Sequence, residues 1–202
     1  MTTTAPRLTP LPLAEWTDEQ RALMSGRMPS TDRFLADANA PRLPNILGFF
    51  AHHPAVTGPW LAMSSDLNDA ALLSARDREL VILRVSWRTG CAYEWGQHFR
   101  FGRAAGLAER ELTDVSLELA AGDWSARDRA LLAAADQLVA EHRVDDATWA
   151  QLGEHLSVPE TVELLFLVGS YLALAVVLNT VGLAPDPGSD TPVPATAPMS
   201  EA

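Results

Sequence analysis

Cys91, Glu94 and His98 stand at i, i+3 and i+7, so a helix through this run lines a thiol, a carboxyl and an imidazole along one face. An imidazole beside a carboxylate is a proton-transfer pair: the acid orients the ring, and the ring titrates near neutral pH. The same spacing also describes an ordinary surface pair at i, i+4, with Cys91 as a small buried hydrophobe. Upstream, Glu79 opens the apolar run Leu80 to Leu83, where an ionised carboxylate is costly unless it is paired. Arg84 and Arg88, one turn apart, either clasp a substrate carboxylate or neutralise Glu79 or another acid of the protein. Tyr93 either lines a substrate pocket or packs. One His, one Glu and one Cys on a single helix form no recurrent zinc set, so neither a metal nor a cofactor is expected. His52 and His53 are adjacent, point apart and precede Pro54.

These residues need two consecutive helices to carry them. Ser74 caps a helix from Ala75 to about Arg88, ended by Gly90, and a second helix runs from about Cys91 to Ala105, closed by Gly106. Elsewhere Thr17 and Gln20 form a capping box that opens a short helix stopping near Gly26 and Pro29. Helical periodicity predicts further segments at 45–51, 55–68, 109–121, 126–142, 146–156 and 159–181. No run shows the alternation of a half-buried strand, and no repeat of fixed period is visible, so the chain reads as all-α. Residues 1–14 are expected to be a flexible segment, 15–183 one helical domain, and 184–202 a disordered tail rich in proline.

Composition narrows the function. The chain of 202 residues is 48% hydrophobic, enough for a sizeable core. A net charge of −11 repels nucleic acid and anionic lipid. Every one of the 15 basic residues is arginine, which excludes Schiff-base chemistry on lysine. The single cysteine excludes an internal disulfide and, with no signal-peptide pattern, suits a cytoplasmic protein. Leu164 to Leu183 is uncharged and long enough to cross a bilayer, but no basic residue flanks it closely. It reads as the central helix of a bundle or part of a subunit interface, not as a membrane span.

The order Glu79, Cys91, Glu94, His98, followed by Ala104, Gly106 and Glu111, resembles the helix pair of the carboxymuconolactone decarboxylase and alkylhydroperoxidase D superfamily. The resemblance is clearest from Ser74 to Ala120. It implies an all-helical bundle of the alkylhydroperoxidase D type, assembled as a homotrimer or homohexamer with sites near subunit contacts. It also implies that Glu79 matches the proton-relay acid, Cys91 the first cysteine of a Cys-x-x-Cys pair, and His98 the histidine. Glu94 replaces the second, peroxide-attacking cysteine, so the disulfide of that redox cycle cannot form. The chain therefore resembles the decarboxylase-like branch.

The leading expectation is a cofactor-independent lyase, with His98, Glu94, Glu79 and Cys91 at its centre and Arg84, Arg88 and Tyr93 around the substrate. It would decarboxylate, or otherwise shuffle protons on, a small unsaturated cyclic acid, lactone or related metabolite. One rival is a thiol peroxidase or redox protein using Cys91 alone, whose place at a helix start would lower its pKa. The other is an oligomeric binding protein that kept the fold without the chemistry.

Overall fold

The computed structural model describes residues 6–36, 43–189, 191 and 193–195. All regular structure among them is helical: α1 (Asp18–Met24), α2 (Pro29–Ala36), α3 (Asn45–Phe50), α4 (Pro54–Asp69), α5 (Ala75–Thr89), α6 (Ala92–Ala104), α7 (Glu109–Asp114), α8 (Ala126–Glu141), α9 (Asp146–His155) and α10 (Val158–Val181), with short 3-10 turns at Leu13–Glu15 and Leu119–Ala121. The chain separates into two compact units.

One unit comprises the described residues of Met1–Ala71 together with Thr180–Asp186. Its capping box is as the sequence predicts: Thr17 Oγ1 accepts from the Gln20 amide at 3.1 Å, and Gln20 Oε1 accepts from the Thr17 amide at 2.7 Å. Helix α2 was not foreseen, because Pro29 reads as a stop but occupies the first helical position, where its missing N–H costs nothing. Gly58 lets α4 press against the Leu23 carbonyl of α1. Segment 180–186 is tied in by hydrogen bonds from Arg7 N to Val181 O and from Asn45 N to Asp186 Oδ1, 2.8 and 2.7 Å.

The second unit, Leu72–Asn179 with the described residues of Pro187–Ala202, holds the predicted chemistry. Ser74 Oγ caps α5 by accepting from the Asp77 amide at 3.0 Å. From Leu80 to Trp87 every residue of α5 is buried, so the helix needs apolar partners on both sides. Val81, Ile82 and Val85 pack with α8 and α10, whereas Leu80, Leu83 and Trp87 pack with Trp95, Leu112 and Trp124. Burying each such side chain contributes about 1.5–3 kcal/mol. Gly90, at φ +64°, ends α5 in the left-handed region, and the Cys91 and Gly90 amides donate back to Ser86 O and Trp87 O. This Schellman turn lets α6 start at once and fold back along α5.

The helix expected over 109–121 breaks after Asp114. The fully buried Arg84 takes the Val115 and Leu117 carbonyls at 2.8 and 2.5 Å, directing them away from a continuing helix. Helix α10 is long and apolar enough to cross a membrane, yet 44% of its most apolar window is buried inside the protein. Val162, Phe166, Val176 and Val177 remain exposed along it. Of the expected flexible N-terminal segment, residues 1–5 lie outside the described residues, as do 190, 192 and 196–202 of the expected tail. Where the tail is described within this unit it packs: Ser189 is buried against Gly96, Val193 sits on the tryptophan cluster, and Trp87 Nε1 donates to Ala195 O at 3.3 Å.

Candidate active site

His98 is ordered by a partner other than the one its helical spacing suggests. Its Nδ1 lies 2.7 Å from Glu79 Oε2 on α5, whereas no hydrogen bond joins it to Glu94. The expected pair of Glu94 and His98 is therefore corrected to Glu79 and His98, because the Gly90 turn brings α6 back beside α5. Both side chains of this pair keep a small solvent exposure, 15% for Glu79 and 12% for His98. With Nδ1–H donating to Glu79, the ring's other nitrogen, Nε2, has no partner among the described residues. A neutral ring held in this way presents a lone pair at Nε2, and a protonated ring presents a proton.

The imidazole is enclosed by aromatic edges. Tyr171 of α10 meets it edge-on with centroids 5.0 Å apart, and Phe101 does so at 5.5 Å. Tyr171 is partly buried, and no hydrogen bond to its hydroxyl is formed among the described residues. Burial, then the negative charges of Glu79 and Glu94, push its pKa up against the opposing charge of Arg78. It stays a phenol.

Glu94 is 2% exposed, and neither of its carboxyl oxygens has a well-formed hydrogen-bond partner. Desolvation pushes its pKa up to about 8, only partly offset by the neighbouring Cys91 thiol and Ser86 hydroxyl. The Ser86 proton is committed to the Ile82 carbonyl at 2.7 Å, which leaves the Ser86 oxygen as an acceptor for a protonated Glu94. Glu94 is thus a neutral acid around pH 7. Cys91 is fully buried, and burial followed by the proximity of Glu94 drives its pKa well up. The expected lowering at the helix start is overturned, because α6 gives the thiol a dipole but no water.

Arg84 and Arg88 do not reach this group. Arg84 Nε and Nη2 donate to Asp136 of α8 at 2.7 Å each, and Arg88 Nε and Nη2 donate to the same carboxylate at 2.8 and 2.9 Å. Their assignment to a substrate carboxylate is corrected: the acid they neutralise is the protein's own, and both guanidinium groups are spent on it. Tyr93 is buried at 4% exposure, beside Glu94 in sequence. Among the described residues, no three His, Cys, Asp or Glu side chains converge as ligands for a metal ion. The site thus joins Glu79, Cys91, Glu94 and His98, leaves out the arginine pair, and gains Tyr171 and Ser86. Tyr171 lies within the uncharged run from Leu164 to Leu183, where no local pattern marks it for a site.

Residues 54–137 match the carboxymuconolactone decarboxylase family, a span that contains α4 to most of α8 and all four motif residues. The fold is similar to that of an uncharacterized peroxidase-related protein with an alkylhydroperoxidase AhpD core from Ralstonia eutropha JMP134. That likeness has a TM-score of 0.72 and 21% identity over 92% of this chain and 95% of the other. An uncharacterized peroxidase-related protein from Silicibacter sp. TM1040 gives a TM-score of 0.73 at 18% identity, covering 96% and 99%. A comparison with curated proteins gives no match. The chain thus has an all-α, alkylhydroperoxidase D-like fold, and its residues 54–137 are similar to the carboxymuconolactone decarboxylase family.

Proposed function

We propose that this protein is a cofactor-independent acid–base enzyme, a lyase or related proton-shuffling catalyst acting on a small unsaturated cyclic acid, lactone or related metabolite. The observation that carries this reading is the 2.7 Å contact between Glu79 and His98 Nδ1, which leaves Nε2 open. Glu79 fixes the tautomer and balances the imidazolium, so Nε2 takes a proton from, or returns it to, a carbon next to an unsaturated carbonyl. In a vinylogous carboxylate the bond to CO2 breaks, its electron pair passes into a dienolate, and the imidazolium protonates the remote carbon. Cys91 is a packed wall of the site in this reading. The protein works in the cytoplasm as a homotrimer or homohexamer, with a small molecule as its substrate.

The second reading, a peroxidase or redox protein resting on Cys91 alone, is favoured by the peroxidase-related description of both structural relatives. The buried, protonated thiol weighs against it, since only a thiolate attacks peroxide. One pair of assays separates the two. Unsaturated lactones and cyclic carboxylic acids are screened by NMR for CO2 release and uptake of solvent deuterium, beside peroxide consumption with and without a thiol reductant. Acid–base chemistry predicts turnover in the first assay and its retention in Cys91→Ser. Peroxide consumption that needs the reductant and disappears in Cys91→Ser overturns it.

A further inference from the structure

Tyr171 lies outside the family-matched span and arrives from α10, yet it packs on the ring that is the centre of the proposed chemistry. Tyr171 is partly buried, and its hydroxyl takes no protein acceptor among the described residues. Here the ring is wedged edge-on to His98, and two carboxyl groups lie near enough to act on the phenol electrostatically. Glu79 already accepts from His98 Nδ1. Glu94 is the other natural acceptor, and in its neutral form it competes poorly for the phenolic proton. The hydroxyl is left as an uncommitted donor on a ring packed edge-on against the imidazole, with centroids 5.0 Å apart.

We propose that the Tyr171 hydroxyl donates a hydrogen bond to the carbonyl oxygen of the substrate while His98 Nε2 works on a conjugated carbon, so that the site takes carbonyl compounds that pass through an enolate or dienolate. This rests on the acid–base reading above. Nε2 accepts a proton from the carbon next to the carbonyl, and the C–H electron pair becomes the new C=C bond. The carbonyl π pair moves onto oxygen, where Tyr171 O–H holds it. The imidazolium then delivers the same proton to the original or the remote carbon as C=O re-forms, so the balance needs no oxidant or co-reactant. Loss of CO2 reaches the same dienolate, with water restoring the proton that the imidazolium supplies. A donor aimed where charge develops in the transition state is among the largest contributions a site can make.

Substituted phenolates, para-nitrophenolate first, mimic the enolate oxygen and serve as probes, with binding followed by their ultraviolet absorbance. Wild-type protein is expected to bind them more tightly as their basicity rises. Tyr171→Phe keeps the ring contact and removes the donor, and is expected to weaken binding about ten- to a hundredfold and flatten that dependence. Because the chain has two tyrosines, labelling the ring carbon that bears oxygen gives two NMR signals in the unmutated protein. Movement of the Tyr171 signal on adding phenolate supports the proposal even if the variant folds poorly. No phenolate binding by wild type, undiminished binding by folded Tyr171→Phe, or movement of the Tyr93 signal alone overturns it. His98→Ala separates this inference from the reading beneath it. Tyr171-dependent phenolate binding in that variant, with deuterium exchange as fast as wild type, removes the base and leaves the donor. Exchange that needs His98 without Tyr171-dependent binding removes the donor and leaves the base.

Discussion

The carboxyl groups of Glu79 on α5 and Glu94 on α6 meet different surroundings. Glu79 keeps a small exposure and a 2.7 Å contact with His98 Nδ1, which suits the orienting role proposed for it. Removing the imidazole in His98→Ala is expected to lower kcat by about 10² to 10⁴ on the native substrate, the usual contribution of one positioned proton-transfer group. Glu79→Gln retains the shape but not the charge that fixes the tautomer, and is expected to lose about 10² or more with little change in KM. Steady-state kinetics on folded variants check both, and wild-type turnover by either removes the dyad from the mechanism. Glu94 makes its mark on stability. Its folded pKa of about 8 lies above the ordinary 4.5, so between those values the folded chain holds a proton that the unfolded chain has released. Stability from this group is therefore expected to fall as pH rises from about 4.5 to about 8 and to level off above. Glu94→Gln, a neutral isostere, should remove that part of the slope. Denaturant titrations across this range check the sign, and an unchanged slope in the variant contradicts the assignment.

The helix pair works because its turn and its supports are built from particular residues. Arg84 is wholly buried and, among the described residues, has its charge answered only by Asp136, so Asp136→Asn would strand a cation inside the second unit. Leaving one member of a buried pair uncompensated costs about 3 kcal/mol or more. A clear drop in the thermal midpoint is expected, with an unchanged midpoint as the contrary result. Burial works to raise the Asp136 pKa, but Arg88 and Arg84 together hold it below the usual aspartate value. Its contribution is thus present at neutral pH and lost as pH falls through that lowered value. On α6, Gly96 admits the Ser189 carbonyl where any Cβ would collide with it. Gly96→Ala is expected to lift the segment near Ser189 from the helix without melting α6, because alanine is the better helix former. Faster proteolysis within 187–195 at unchanged helical circular dichroism checks this, and wild-type resistance contradicts it.

At the scale of the molecule, an all-α protein of this size leaves apolar side chains outside its own cores. Val162 is 47% exposed and Phe166 61%, one turn apart on α10, and Val176 is 60% exposed nearer its end. Large exposed apolar surface on a helix is a feature of faces that meet a partner. The proposed homotrimer or homohexamer gives a direct expectation: light scattering at micromolar concentration and without detergent yields three or six times 21.8 kDa. A stable monomer would remove that proposal and with it the expectation of a site near subunit contacts.

The helices of the second unit were legible along the chain because helix formation is local. Caps such as Ser74, the left-handed Gly90 and the 3.6-residue period act within a few residues of where they stand. The four motif residues were legible for the same reason, through their spacing. Their pairing was not. Glu79 and His98 are nineteen positions apart and Tyr171 is far beyond both, so only the turn at Gly90 and the packing of α10 decide which groups touch. The same limit explains Arg84 and Arg88, whose partner Asp136 lies on α8, and the break in the expected 109–121 helix, where a buried guanidinium outcompetes local propensity. Burial also set the ionisation of Cys91 and Glu94, against the thiol acidity expected from its place at a helix start. Local sequence marked most of the helices and the kinds of groups available to them. Tertiary structure alone decided which groups meet and which are charged, because contact and desolvation depend on neighbours that are distant along the chain.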